Sequence, residues 1–285
     1  MNKPKGKTSH DVVNLVRRSL GIKRVGHTGT LDPNATGVLP ICVGRATKFA
    51  DTIMTGDKIY RAVLHLGITT DTQDITGTMI EEKPVSVTQA QVLTAINTYK
   101  GHIEQIPPMY SAIKINGQKL YDLARQGQTV ERKARPVTIH DIYEVHFISE
   151  TTLSMTVHCT SGTYIRTLCH DIGHDLGTGG CMGELTRLKA SCFTLDNAIN
   201  IEDLEQYQQH LIPVETLLMQ YQTVIAKPSA EKYLINGNPI SLYLTNASRL
   251  TPNQEVKLYN HANRFYGLYK YIETEKKLKT IVYLG

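Results

Sequence analysis

The sequence predicts an α+β protein in two parts, a larger part of mixed strands and helices and a small C-terminal part of strands. Strand-like and helix-like segments follow each other through residues 1–222 without the strict alternation of a doubly wound sheet. From about Thr223 the chain changes to tyrosine-rich, strand-like runs separated by Asn-Gly and Pro. We therefore predict a main domain over residues 1–222 and a small, mostly-β domain over residues 223–285.

Helical periodicity predicts the helices. Val12, Val13, Val16 and Leu20 would share one face of the first helix. We expect Ser9 to be the N-cap of this helix and Gly21 to end it. The same reasoning predicts further helices over 46–54, 88–100, 120–126, 163–176 and 202–209.

Alternating or continuous apolar runs predict the strands. They cover 38–43, 60–66, 137–147 and 153–159, and the last two are expected to pair as a hairpin. In the run 60–66, we expect Tyr60, Ala62, Leu64 and Leu66 on one side. Asn116-Gly117 is a strong signal for a second hairpin.

The composition excludes several classes of protein. With 41% hydrophobic and 20% charged residues, the 285-residue chain can bury a large core and is not disordered. No apolar run approaches the roughly 20 residues that span a bilayer, and we expect a cytoplasmic protein without membrane contact. The five cysteines are scattered without a C-x-x-C pair, which favours reduced thiols over a disulfide framework or a zinc ribbon.

The net charge of +5 is modest, but basic residues cluster just before a glycine-rich loop. These residues are Arg17, Arg18, Lys23 and Arg24. Such a patch suits a polyanionic partner, although solvated surface charge explains it equally well.

The loop over residues 26–40 is the most informative segment. Gly26, Gly29 and Gly37 allow a positive φ or the close approach of another molecule. Pro33 fixes its own φ and pushes Asp32 towards an extended conformation. The loop is therefore expected to be rigid and to present one carboxylate, a combination that favours function.

Other interpretations of this loop stay open. An aspartate before a proline in a loop is more often a turn or cap residue than a catalyst, which applies to Asp32. His27 would then be an ordinary hydrogen-bonded loop histidine. A metal site of His27 and Asp32 lacks a third ligand nearby, so we expect no metal there. The chain has no P-loop, no dinucleotide G-x-G-x-x-G and no G-x-S-x-G motif, so nucleotide cofactors and serine hydrolysis lack support.

Three more residues are candidates. Arg166 lies in the first turn of a predicted helix, where a cation is unfavourable, so we expect a carboxylate partner for it. Tyr60 begins a strand and is otherwise an ordinary strand aromatic. Asp74 belongs to a polar, acidic loop that is otherwise a cluster of turn residues.

Six ordered segments of residues 2–190 resemble the TruB family of bacterial tRNA pseudouridine-55 synthases. They are KPKG with TSH, GHTGTLDPNATGVLPICVGRATKF, DKIYRAVLHLG, TDTQDITG, IPPMYSAIKINGQKLYDLARQG and CTSGTYIRTLCHDIG. The resemblance implies a pseudouridine synthase domain with a central mixed or antiparallel sheet flanked by helices, and a C-terminal PUA-like RNA-binding domain. It also implies that one uridine of the tRNA T-loop is isomerised to pseudouridine, without a metal or redox cofactor.

The same resemblance implies roles for individual residues. Asp32 would be the essential carboxylate, acting as nucleophile or stabilising the cleaved sugar, and Arg166 would pair with it. Tyr60 would be a catalytic residue that stacks on the flipped base and is a candidate for proton transfer, and His27 would fill the space that the base leaves. The other residues expected to contact RNA or substrate are Thr28, Gly29, Asp74, Tyr164, Ile165, Arg17, Arg18, Lys23 and Arg24.

Three functions remain in competition. A stand-alone synthase acting on the T-arm stem-loop, with no guide RNA or obligate protein partner, is favoured. An RNA-binding or tRNA-folding protein whose catalysis is secondary would also explain the basic patch and the aromatic C-terminal part. A guide-RNA-dependent synthase related to dyskerin is disfavoured, because the sequence has no lysine-rich tail.

Overall fold

The computed structural model describes residues 1–115 and 117–285, and its contacts divide them into two compact units. The first unit comprises Met1–Leu15, Gly29–Pro40 and Met54–Asp203. The second comprises Val16–Thr28, Ile41–Ile53 and Leu204–Gly285. The predicted domain boundary between residues 222 and 223 stays a prediction.

Among the described residues, strands outnumber α-helices in both units. The α-helices are α1 (Ser9–Leu20), α2 (Ala50–Met54), α3 (Gln89–Thr98), α4 (Leu120–Arg125), α5 (Ile165–Asp175) and α6 (Glu231–Ile235). The 3-10 helices are Gly44–Phe49, Leu195–Asn197, Leu204–His210, Val214–Leu218, Pro228–Ala230, Leu242–Leu244 and Glu273–Glu275. None of the described helices is long and apolar enough to cross a membrane.

The strands follow in chain order. They are β1 (Asn2–Lys3), β2 (Val25–His27), β3 (Thr36–Val38), β4 (Ile41–Val43), β5 (Lys58–Leu66), β6 (Ile68–Thr70), β7 (Met79–Glu82), β8 (Gly101–Gln105), β9 (Lys114–Ile115), β10 (Gln118–Lys119), β11 (Arg135–Phe147), β12 (Thr152–Cys159), β13 (Gly180–Ala190), β14 (Phe193–Thr194), β15 (Gln222–Ile225), β16 (Ile240–Ser241), β17 (Glu255–Tyr259), β18 (Phe265–Ile272) and β19 (Lys277–Tyr283).

A mixed sheet forms the centre of the first unit. Its strand order is β1-β3-β13-β5-β12-β11-β8, and β14 pairs with β13. Neighbours are antiparallel except β3 and β13, which are parallel. The predicted hairpin is present as β11 and β12. The α+β class is confirmed, because helices and strands share one sheet-centred unit without βαβ repetition.

Strand β5 and helix α5 build the core of this unit. The alternation predicted from residue 60 is confirmed, since Ala62 and Leu64 are fully buried on the same face. Helix α5 packs against β13 and β5, and its Leu168 and Ile172 are fully buried. Each such leucine or isoleucine stabilises the fold by about 1.5–3 kcal/mol, so the start of α5 is firmly fixed.

The second unit contains a separate sheet of five strands. Its order is β15-β17-β18-β19-β16, with β15 and β17 parallel. Tyr266, Tyr269 and Tyr271 of β18 are buried in its core. The tyrosine-rich segment is therefore a small β-structure, as predicted from its composition. Strands β2 and β4 form a second, two-stranded ladder in this unit.

Two predicted elements were wrong in detail. The single strand over 38–43 is two strands in different sheets, because Pro40 between them has no N–H to donate to a ladder. The helix over 202–209 is the 3-10 helix Leu204–His210. Strands β9 and β10 pair across the predicted turn, whose Asn116 lies outside the described residues.

Candidate active site

The start of helix α1 holds the loop that carries Asp32. The Ser9 hydroxyl accepts a hydrogen bond from the Leu31 N–H at 2.9 Å and donates to the Leu31 carbonyl at 3.1 Å. Ser9 was wrongly predicted as the N-cap. Thr8 makes the capping contacts instead, since its Oγ1 accepts from the Asp11 N–H at 3.0 Å. The Ser9 hydroxyl instead binds both backbone groups of Leu31 and so fixes the backbone next to Asp32.

Lys3 holds the same loop from the other side. Its side chain is fully buried, and its Nζ donates to the carbonyls of Pro33 at 2.9 Å, Lys7 at 2.6 Å and Pro4 at 3.0 Å. Burial lowers the pKa of Lys3 to about 8, although the nearby Asp32 charge opposes the shift. Sequence reasoning missed this anchor, because a lysine near the N-terminus is ordinarily a surface residue.

The lowered pKa of Lys3 predicts a pH-dependent stability. Between the folded value of about 8 and the ordinary 10.5, the unfolded chain binds more protons, so the free energy of unfolding rises with pH. Relative to Lys3→Met, we expect the native chain to gain about 1–2 kcal/mol from about pH 7 to about pH 9.5, allowing for solvent screening. Urea unfolding of both proteins measures this gain, and a difference that does not change with pH would contradict it.

Arg187 of β13 is the third anchor of the loop. It is 1% exposed, and its guanidinium donates to the carbonyls of Val38 at 2.7 Å, Gly29 at 3.3 Å and Thr30 at 3.4 Å. Burial raises the pKa of Tyr60, and the Arg187 charge opposes that rise. Arg187 could not be predicted as an anchor, because no neighbouring residue in the sequence distinguishes a buried arginine from a surface one.

Two of the three loop glycines are required by the backbone. Gly29 and Gly37 have φ values of +84° and +102°. At Gly37 a Cβ would lie 2.2 Å from the Arg187 carbonyl oxygen, because β3 runs alongside β13 there. Gly26 has no positive φ and has ordinary space for a Cβ, 3.8 Å from a methyl carbon of Thr47, so for this glycine only the close approach of another molecule stays a prediction.

A Gly37→Ala substitution is expected to destabilise the protein by more than about 3 kcal/mol, since a strained φ adds to a backbone clash. Gly6→Ala is the matched control: its φ is +83°, but nothing lies within 4 Å of a Cβ. We expect the control to lose only about 1–2 kcal/mol. Thermal unfolding compares the two, and equal losses would show that the contact with Arg187 is unimportant.

Asp32 and Arg166 form an ion pair although 134 residues separate them. The Arg166 Nε lies 3.0 Å from Asp32 Oδ2, and Nη2 lies 3.4 Å from Oδ1. The arginine side chain is 7% exposed and the aspartate side chain 40% exposed. The Asp32 carboxylate is therefore partly exposed to solvent, while the buried, planar guanidinium of Arg166 orients both of its oxygens.

Arg166 is itself held by further acceptors. Its Nη1 lies 3.2 Å from the Thr72 carbonyl and 3.7 Å from Asp74 Oδ2, and Nη2 donates to the Tyr110 carbonyl at 2.8 Å. Asp74 is in turn bound by Thr76, whose N–H and hydroxyl donate to its Oδ1. Arg166 was expected to have one carboxylate partner and has two, Asp32 and Asp74. The loop around Asp74 fixes the guanidinium in place.

The residues before Arg166 are fixed by a side chain that sequence reasoning missed. Gln105 accepts from the Tyr164 N–H at 2.7 Å and donates to the Tyr164 carbonyl at 3.0 Å. The Tyr164 ring is half-buried, and burial raises its pKa. Ile165 is only 3% exposed, so little of its side chain is open to a ligand.

The remaining predicted contact residues belong to the second unit. His27 is half-buried in β2, and Thr28 is 2% exposed. Arg17 donates to the carbonyls of Lys23 at 3.0 Å and Val25 at 3.3 Å. The other basic residues of the patch are exposed, namely Arg18, Lys23 and Arg24. They provide positive charge at the surface of that unit.

Comparison with known proteins identifies relatives along nearly the whole chain. Residues 17–165 match the model of the TruB family pseudouridylate synthase N-terminal domain, and residues 166–220 match that of the tRNA pseudouridylate synthase B C-terminal domain. The tRNA pseudouridine synthase B of Alkaliphilus oremlandii is 48% identical over 90% of this chain and 87% of its own length. The protein of that name from Clostridium perfringens is 43% identical over 97% of this chain and 95% of its own.

Solved structures agree on the fold. A chain in the crystal structure of a Cbf5-Nop10-Gar1 complex matches with a TM-score of 0.71 and 26% identity, covering 95% of this chain and 77% of that one. A chain in an H/ACA RNP bound to a substrate RNA containing 2'-deoxyuridine matches with a TM-score of 0.70 and 23% identity, covering 100% and 84%. The second likeness is evidence for the fold alone.

Proposed function

Because this chain belongs to the TruB family of pseudouridylate synthases, we propose that it converts uridine 55 in the T-loop of tRNA to pseudouridine with Asp32 as its nucleophile. The observation that carries this proposal is the ion pair of Asp32 with the buried Arg166. The planar guanidinium contacts both carboxylate oxygens and orients them, as a nucleophile requires. The tRNA specificity is supported by relatives named tRNA pseudouridine synthase B.

The proposed reaction is an isomerisation. The N1–C1′ bond of the uridine breaks, the base rotates, and C5 bonds to C1′. C5 then loses its proton and N1 gains one, so the product has the same atoms as the uridine. Asp32 either attacks the nucleotide or stabilises the positive charge on the sugar, and both roles need its negative charge. No atom is added and nothing is oxidised, so the reaction needs no metal or redox cofactor.

Tyr60 suits a neutral role in this reaction. Because burial raises its pKa, the phenol stays protonated near neutral pH. It can then stack on the uracil ring and donate a hydrogen bond without adding a second negative charge beside Asp32. Tyr164 has a raised pKa for the same reason and would contribute a second neutral ring.

Substrate recognition is proposed to combine shape and charge. A loop uridine can be flipped at a cost of only a few kcal/mol, and His27, Thr28 and Gly29 are proposed to contact the opened loop. The exposed Arg18, Lys23 and Arg24 would bind phosphates, so binding should weaken as salt is raised. Guide RNA and protein partners are not part of this proposal, and we expect the enzyme to meet tRNA in the cytoplasm.

The modified position tests this function. Purified protein is incubated with an unmodified tRNA transcript and with an isolated T-arm stem-loop, and pseudouridine is mapped by chemical derivatisation and primer extension. We expect modification at position 55 in both RNAs without any guide. A transcript with cytidine at position 55 is the control and should stay unmodified. Modification elsewhere, or only in the presence of a guide RNA, would contradict the proposal.

A further inference from the structure

Two histidines and an aspartate converge at one end of the central sheet. Asp57 immediately precedes β5, His158 lies near the end of β12, and His140 lies in β11. The His140 Nε2 lies 3.2 Å from Asp57 Oδ2, and the His158 Nε2 lies 3.7 Å from the same oxygen. The two imidazole rings are 4.7 Å apart between centroids.

A β-bulge brings the two histidines to the same place. Ile139 pairs with Cys159, but Asp141 pairs with His158, so His140 is the extra residue between the two pairs. Bulges redirect side chains, and this one directs His140 towards His158 and Asp57. Three separate segments of the chain therefore supply the cluster.

We propose that Asp57, His140 and His158 form a binding site for a zinc ion. Two imidazole nitrogens and one carboxylate oxygen are a donor set that zinc prefers, whereas calcium and magnesium prefer oxygen ligands throughout. Zinc–ligand bonds of about 2.0–2.1 Å in a tetrahedron set neighbouring ligand atoms about 3.3 Å apart. The three ligand atoms of the cluster all lie within 4.8 Å of one another, so small side-chain rotations complete the set.

The surroundings of the cluster suit a cation. Both ion pairs that Asp57 makes among the described residues are with these histidines. The neighbouring Lys58 ammonium donates to the carbonyls of Met54 and Gly56 instead. The side chains of both histidines are 36% exposed and that of Asp57 48%, so water can occupy the fourth position of the ion.

The bound ion would connect the ends of three adjacent strands. Asp57 lies three residues before Tyr60 of β5, and its carbonyl accepts from the Ser191 N–H at 2.8 Å. A metal that binds only the folded chain stabilises it by mass action. We therefore expect bound zinc to raise the unfolding temperature of the protein.

Titration of the tag-free, full-length chain tests the site. After chelator treatment and dialysis, the protein is titrated with zinc by calorimetry and with Co²⁺ by visible absorption. We expect one ion per chain, a tetrahedral Co²⁺ spectrum and a zinc-dependent rise in unfolding temperature. His140→Gln and Asp57→Asn should each weaken binding at least about 100-fold, since even an outer residue of a zinc site costs 10–100-fold.

Two controls separate this site from adventitious binding. His146→Gln removes a histidine of the same strand that lies outside the cluster, and Cys192→Ser removes the exposed cysteine. Both variants should bind as tightly as the native chain. The proposal is overturned if no ion binds, if His140→Gln binds normally, or if binding disappears with Cys192. Thermal unfolding without metal checks that every variant is folded.

Discussion

Asp32→Asn is expected to abolish the release of tritium from tRNA labelled at C5 of uridine. The amide has nearly the same shape as the carboxylate but carries no charge and cannot act as a nucleophile, so we expect kcat to fall at least about 10⁴-fold. Affinity for tRNA should stay within about tenfold, since phosphate contacts dominate binding and removing a negative charge does not weaken them. Single-turnover tritium release and a binding titration measure the two effects separately.

Asp196→Asn is the matched control for this substitution. Asp196 is exposed in the 3-10 helix Leu195–Asn197, so we expect unchanged activity. Full activity in Asp32→Asn would contradict the proposal that Asp32 is the nucleophile. The same inactive variant also tests the competing function of a tRNA-folding protein, because refolding of tRNA should persist in it if that role is separate from catalysis.

Arg166→Lys is expected to reduce kcat by about 10²–10³-fold despite keeping the charge. The guanidinium contacts both oxygens of Asp32 and also the carbonyls of Thr72 and Tyr110. An ammonium lacks the planar fork and cannot satisfy these acceptors together. A loss of 10²–10³-fold in kcat corresponds to about 3–4 kcal/mol of transition-state stabilisation.

Arg61→Lys provides the comparison for Arg166→Lys. Arg61 is paired with Glu144 at 3.7 Å, but its side chain is 58% exposed, and such pairs contribute little. We expect less than about a twofold change in kcat there. If Arg166→Lys were as active as Arg61→Lys, the two-oxygen contact with Asp32 would have no role in the reaction.

Much of the fold could be predicted, because its elements rest on local periodicity. The alternation in β5 and the helical spacing of Val12, Val13 and Val16 are visible in short windows. The interruption at Pro40 was harder to predict, since it separates two strands that pair with distant partners in different sheets. Which strands become neighbours depends on contacts over long distances in the chain.

The candidate site was predictable only in part. The helix dipole argument indicated that Arg166 needs a carboxylate, but it could not distinguish Asp32 from Asp74, and both are close. The burial of Lys3 and Arg187 was missed because their hydrogen-bond partners are backbone carbonyls. Every residue has such a carbonyl, so the sequence does not indicate which ones accept a hydrogen bond. Lysine and arginine side chains without an acidic partner are ordinarily exposed, so both residues would be predicted at the surface.

The structure of the Asp32→Asn variant bound to a T-arm stem-loop tests the central claim most directly, because the inactive variant keeps the RNA intact. The account predicts that nucleotide 55 is flipped out of the loop with its base against Tyr60, and that the side chain at position 32 lies within about 3.5 Å of the reacting sugar or base carbon. A nucleotide 55 that stays stacked in the T-loop, or that binds away from residue 32, would contradict the account.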